Sequence, residues 1–227
     1  MIKIRKIAAL LSAVCAVTVL TCGCRNEKKI SGEYDTVKSG CEALTSLASG
    51  EIMIYETYKP EKEIEGKVLL KTTETYVKFV NNGALEYDYT KNEKSLTSGD
   101  VSLLEATRAE GSLVVSRDGV VVDESEEPDI FANFNVGYSV SDIENVEVVE
   151  GSSGSKVRIL NMTSAYAGSF DKTVDDVRYE CKKIAYNYYF DADGSITNIV
   201  SEYTYHVTYG DESQTLIHFT QSKIEEN

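Results

Sequence analysis

The stretch RYECKKIAYNYYFDADGSITNIVSEYTYHVTYGDESQTLIHFTQ, residues 178–221, decides the fold. Arg178–Phe190 reads as one strand, Asp191–Ser195 as a turn, Thr197–Tyr209 as a second strand and Thr215–Gln221 as a third. In the middle strand Ile199, Tyr203, Tyr205, Val207 and Tyr209 fall on one face. Asn198, Glu202, Thr204, His206 and Thr208 fall on the other. A period of two with one apolar side is the mark of an antiparallel sheet covered on one face and wet on the other.

The same period runs backwards from there. Lys156–Leu160 and Val146–Glu150 flank Gly151-Ser152-Ser153-Gly154 as a hairpin. Leu113–Val115 and Val120–Val122 flank Arg117-Asp118-Gly119 as another. Glu51–Tyr58 and Val68–Val80 read as strands, and Asn81-Asn82-Gly83 turns the latter into Leu85, Tyr87 and Tyr89, which alternate with acids. Pro128 predicts a short helix through Phe134, and 162–173 reads as an excursion. The helical period appears at Tyr34–Ala48, where Tyr34, Val37, Cys41, Leu44 and Ala48 form one stripe interrupted by Gly40. The expectation is an α+β fold: an N-terminal helix packed on a long, curved, mostly antiparallel meander that stays open like a half-barrel. About 200 residues without a Pro/Gly-rich linker suggest a single β-rich domain over 34–227.

Two metal readings give way to blander ones. Asp191-Ala192-Asp193-Gly194-Ser195, with Glu202 twelfth, starts like a calcium loop, but Ile196 stands where the sharp bend needs Gly. A hairpin turn explains it better. A three-residue turn at Asp211-Glu212-Ser213 would set His206 opposite His218 on the wet face, with no third strong ligand beside them. No metal or cofactor is expected.

The first residues read as an address. Lys3, Arg5 and Lys6 precede the uncharged run Ile7–Leu20, too short to span a bilayer and suited to a secretory signal. Leu20-Thr21-Cys22-Gly23-Cys24 and the polar tract Arg25–Lys29 follow. This resembles the lipobox of bacterial lipoproteins, whose cysteine after the apolar run is lipidated and becomes the first residue. The small Gly23 favours Cys24 as the lipidated residue, with Cys22 the alternative. The resemblance implies a signal over 1–23, a lipidated cysteine and polar tether over 24–33, export, and anchoring at the outer face of a bacterial membrane. Acyl chains supply about 0.8 kcal/mol per buried methylene.

Without residues 1–23 the charge changes from −14 to 20 − 37 = −17. An acidic chain lacks the basic face a nucleic acid needs. Cys41 and Cys181 remain as a candidate disulfide if the fold brings their Cα atoms within about 7 Å; two separate buried thiols are the alternative. No nucleophile elbow, phosphate loop or HExxH motif is present, and no catalytic residue is assigned.

The order of elements, helix then meander, resembles the lipoprotein-carrier (LolA/LolB-like) superfamily over most of 34–221. That resemblance implies a concave apolar cavity for acyl chains. From the residues themselves, Tyr186, Tyr188, Tyr189, Tyr203, Tyr205 and Tyr209 cluster in the last third, an aromatic lining able to bind sugar rings or lipid tails, with Tyr203, Tyr205 and Val207 as the candidate ligand-facing residues; sheet-facing core is the alternative reading. The expected function is a membrane-anchored, non-enzymatic envelope protein that binds lipid or another apolar ligand. The alternative is an interaction or structural envelope protein with a solid core.

Overall fold

The computed structural model describes residues 26–61, 70–96 and 98–226. Cys22, Cys24 and the signal stretch lie outside the described residues, as do Val68 and Leu69 of the expected second strand.

Asn26 caps the first helix, its side chain accepting from the Lys29 amide, and α1 runs Glu27–Thr45. Its buried stripe is Ile30, Val37, Cys41 and Leu44. The helix therefore starts at residue 27, and the segment read as a tether over 24–33 is largely its first two turns. Ile30 is the reason: one turn before Tyr34 the apolar stripe continues, and burying such a side chain stabilises by about 1.5–3 kcal/mol.

The strands follow as β1 (Ser49–Pro60), β2 (Lys71–Asn81), β3 (Leu85–Ser95), β4 (Val101–Ala109), β5 (Ser112–Arg117), β6 (Val120–Val121), β7 (Ile143–Glu150) and β8 (Lys156–Met162). A short helix α2 (Ser164–Gly168) precedes β9 (Lys172–Val174), β10 (Val177–Phe190), β11 (Ile196–Tyr209) and β12 (Glu212–Glu226). All pair antiparallel in one sheet of order β6-β5-β4-β3-β2-β1-β12-β11-β10-β8-β7, with β9 on β10. The sheet is curved and open, as expected. β4 was not foreseen. Its segment carries no clean alternation, and its place between β3 and β5 makes it extended.

β6 and β7 lie at opposite edges of the sheet, so residues 122–142 must cross its concave side as a strap. The strap holds no helix at Pro128; a 3₁₀ turn over Ala132–Phe134 replaces it. Ile130, Phe134 and Tyr138 are buried along it. Its start is tied down by charge. Arg108 donates from Nε (2.9 Å) and Nη2 (2.6 Å) to Glu127, Tyr87 Oη donates to the same carboxylate at 2.7 Å, and Arg117 pairs with Glu126 at 2.8 Å. The acidic run Asp123–Glu127, which reads as a solvated loop, is in part a clamp.

α1 lies on the concave side against β7, β11 and the strap. Lys29 Nζ donates to the Val146 carbonyl, and Glu33 pairs with Arg158 at 2.6 Å. Gly40 is the close approach: a Cβ there would sit 2.6 Å from Ile196 Cδ1. The weak spot in the helical pattern is thus a contact point with the sheet.

Candidate functional site

β11 keeps the predicted faces. Ile199, Tyr205 and Val207 are buried, and Tyr203 is half-buried beside them on the concave side. The last hairpin corrects one expectation. Its turn holds the two residues Gly210 and Asp211, with Tyr209 opposite Glu212 and Gly210 at φ +56°. His206 therefore faces Thr215, and His218 faces Tyr203. The even-length turn puts the two histidines on opposite faces and moves His218 to the concave side. The Asp191 loop is the hairpin turn, its Oδ1 accepting from the Asp193 and Ser195 amides.

Aromatic rings ring the space under the strap. Tyr203 meets Tyr186 at 6.2 Å, Tyr186 stacks on Tyr138 at 5.1 Å, Tyr138 meets Tyr166 at 6.3 Å, Tyr166 meets Phe170 at 5.2 Å, and Phe170 returns to Tyr203 at 5.4 Å. β10, β11, the strap and α2 each supply a member. The phenols bond to one another: Tyr138 to Tyr188 at 2.8 Å, Tyr186 to Tyr203 at 3.0 Å and Tyr166 to Tyr186 at 3.4 Å. Burial pushes Tyr138, Tyr186, Tyr188 and Tyr203 above the ordinary phenol range, so they act as neutral hydroxyls.

Within this frame lies a cavity of about 150 Å³, walled by Tyr138, Tyr166, Tyr186, Tyr188 and Tyr203. Asn133 and Asn135 of the strap line it from one side, and Ser201, Thr220 and Ser222 of the sheet from the other. Of Tyr203, Tyr205 and Val207, Tyr203 lines this cavity. Tyr205 stacks along Tyr203 and meets Tyr179 edge-on, and Val207 is fully buried; both are core. The cavity matches a volume known to hold a single benzene-sized ring and falls below the 300–1,000 Å³ of most ligand pockets. It is a ring-sized cavity with polar and aromatic walls.

Tyr203 and Thr220 join the cavity to a second group. His218 lies between Tyr58 (4.3 Å, interplanar 4°) and Tyr203 (5.4 Å, 25°), and its Nε2 meets Glu56 Oε1 at 2.8 Å. Burial raises the Glu56 carboxyl, but the bond and charge of His218, with Lys71 and Lys91, outweigh it, and the net shift is below the ordinary 4.5. Glu93 pairs with Lys71 at 2.8 Å. Glu56 and His218 stand 162 residues apart, and only the β1–β12 pairing joins them.

Cys41 and Cys181 are both free and both buried. Burial, the largest influence on each, raises the Cys41 thiol to about 12 and the Cys181 thiol to about 11, so neither is poised as a nucleophile. Cys181 faces inward because a bulge between Cys181 and Lys183 turns both Cys181 and Ile184 to the core. No described helix is long and apolar enough to cross a membrane. Among the described residues no cluster of three or more His, Cys, Asp or Glu side chains could hold a metal ion.

No family model matches the chain. No curated protein matches it. Among solved structures, the chain is similar to a DUF1329 family protein from Desulfovibrio piger ATCC 29098, with 13% identity and a TM-score of 0.24, covering 86% of this chain and 91% of that one.

Proposed function

We propose that this chain is an exported, lipid-anchored binding protein of a bacterial envelope, which captures a neutral, ring-bearing ligand in the cavity beneath the strap. The observation that carries the binding half is the tyrosine-walled cavity of about 150 Å³. The anchoring half rests on the charged start, the short apolar run and Gly23-Cys24. Binding without catalysis is the reading adopted. The acyl-chain cargo that the carrier resemblance implies needs more room than the cavity encloses, and a single ring fits it.

The test uses residues 25–227, which include every described element of the fold. Titration with p-cresol, a single aromatic ring with one hydroxyl, followed by calorimetry, is expected to show one saturable site. Ala132→Trp, on the exposed strap wall, fills the cavity and abolishes that binding. Absence of binding in the unsubstituted protein overturns the reading. For the anchor, the full chain expressed in bacteria with labelled palmitate takes up label, and Cys24→Ala loses it; retention of label by that variant shifts the attachment to Cys22.

A second reading, an envelope protein that docks another through its sheet, is favoured by Val114, Val120 and Val121, all more than half exposed on β5 and the edge strand β6.

A further inference from the structure

A row of polar side chains leads out of the cavity across the concave floor. Strand register sets Ser201, Thr220, Glu56, Thr73 and Glu93 side by side on β11, β12, β1, β2 and β3. Four positions along the last four of these strands, Ile224, Ile52, Val77 and Tyr89 form the parallel apolar row. An even spacing of four keeps both rows on one face. Five strands at ~4.8 Å spacing give the polar row a length of about 19 Å. Ser201 and Thr220 also line the cavity, so row and cavity are continuous.

The row contains a polar atom that lacks a partner. Thr73 is 2% exposed, lies in register between Glu56 and Glu93, and its Oγ1 has no hydrogen-bond partner. Folded proteins leave few buried polar groups unpaired, and the Thr73 hydroxyl in the middle of the row points to a ligand that completes it.

Charge defines what that ligand is. The two carboxylates of the trough, Glu56 and Glu93, are matched by two ammonium groups, Lys71 and Lys91. The trough is balanced without an added ion, so its partner is neutral. It must bring hydroxyls for Thr73, Glu56 and His218. It must also bring C–H groups for the tyrosine walls of the cavity, whose rings attract weakly positive hydrogens. Sugars combine these two properties. Resting on the cavity reading above, we propose that the trough binds a neutral oligosaccharide, one ring seated in the tyrosine cavity and the remainder laid along the Ser201–Glu93 row.

The test uses the full chain in a non-glycosidic detergent, titrated by calorimetry with cellotetraose, maltotetraose and chitotetraose, and separately with p-cresol. At least one tetrasaccharide is expected to bind. Thr73→Val, which removes the orphaned hydroxyl, weakens that binding about tenfold, leaves p-cresol binding unchanged, and does not lower the thermal midpoint. Glu93→Gln, at the more exposed end of the row, weakens it similarly and serves if Thr73→Val folds poorly. Binding of p-cresol with no tetrasaccharide bound overturns the oligosaccharide and leaves the cavity reading standing. Binding of neither overturns both. A tetrasaccharide held equally well by the wild type and both variants overturns the polar row as its site.

Discussion

Replacing His218 with Phe isolates the Glu56–His218 contact. Phenylalanine keeps a flat ring between Tyr58 and Tyr203, so the stack at 4.3 and 5.4 Å survives and the hydrogen bond at 2.8 Å is lost. In the wild type the Glu56 carboxyl is lowered below 4.5 although burial opposes this. A lowered carboxyl contributes stability above its unfolded value, and that contribution disappears as pH falls through the folded value. Without His218, burial is left to act against Lys71, Lys91 and a long hydrogen bond from the Tyr58 hydroxyl (3.5 Å), and the carboxyl rises above 4.5. The sign then reverses: the unpaired carboxylate destabilises at neutral pH and is relieved on acidification. An orphaned buried charge costs about 1–3 kcal/mol, and because the Glu56 side chain is 24% exposed the lower half of that range applies, about 1–2 kcal/mol at pH 7. Urea unfolding followed by circular dichroism between about pH 7 and about pH 4 measures it. The stability gap between wild type and His218→Phe should narrow steadily as pH falls. A gap of constant size would mean a packing defect alone, and Glu56 titrating identically in both proteins by carbon NMR would refute the reasoning.

Three further outcomes follow from the packing. The Cys41 and Cys181 thiols, raised to about 12 and about 11, should resist a thiol reagent at mildly alkaline pH in the native protein and react fully in urea; fast native reaction would contradict their burial. Gly40→Ala gains about 1 kcal/mol of helix propensity but drives a methyl against Ile196 and Phe190, an overpacking of about 1–3 kcal/mol, so the thermal midpoint should fall slightly, and a rise would show that Ile196 moves aside freely. Phe134→Ala, at a strap residue 1% exposed, should cost about 3–5 kcal/mol by chemical denaturation, and a loss under 1 kcal/mol would mean the strap does not cover the core.

The sequence by itself determined the strand period, the inward face of β11, the apolar stripe of α1 at Val37, Cys41 and Leu44, and the turns at Asn82-Gly83, Asp118-Gly119 and Asp193-Gly194. These are local properties: a side chain's face follows from counting by two or by 3.6, and a left-handed turn needs glycine where it bends. Where an element lacks such a local signal, the sequence misleads. β4 goes unread because its contacts come from β3 and β5, and α1 starts before its clearest stripe because the Asn26 cap and Ile30 extend it. Only the tertiary structure decided the site. The parity of the Gly210-Asp211 turn chose which histidine faces inward, since a one-residue change in turn length exchanges the faces of β12. The β1–β12 pairing brought Glu56 to His218 across most of the chain, and the strap closed Tyr138 over Tyr186 and Tyr188. Tyrosine abundance pointed to the right strands, yet Tyr203 lines the cavity while Tyr205, two residues on and on the same face, is core. Periodicity fixes the face of a sheet that a residue occupies; what covers that face is set by segments far away in sequence.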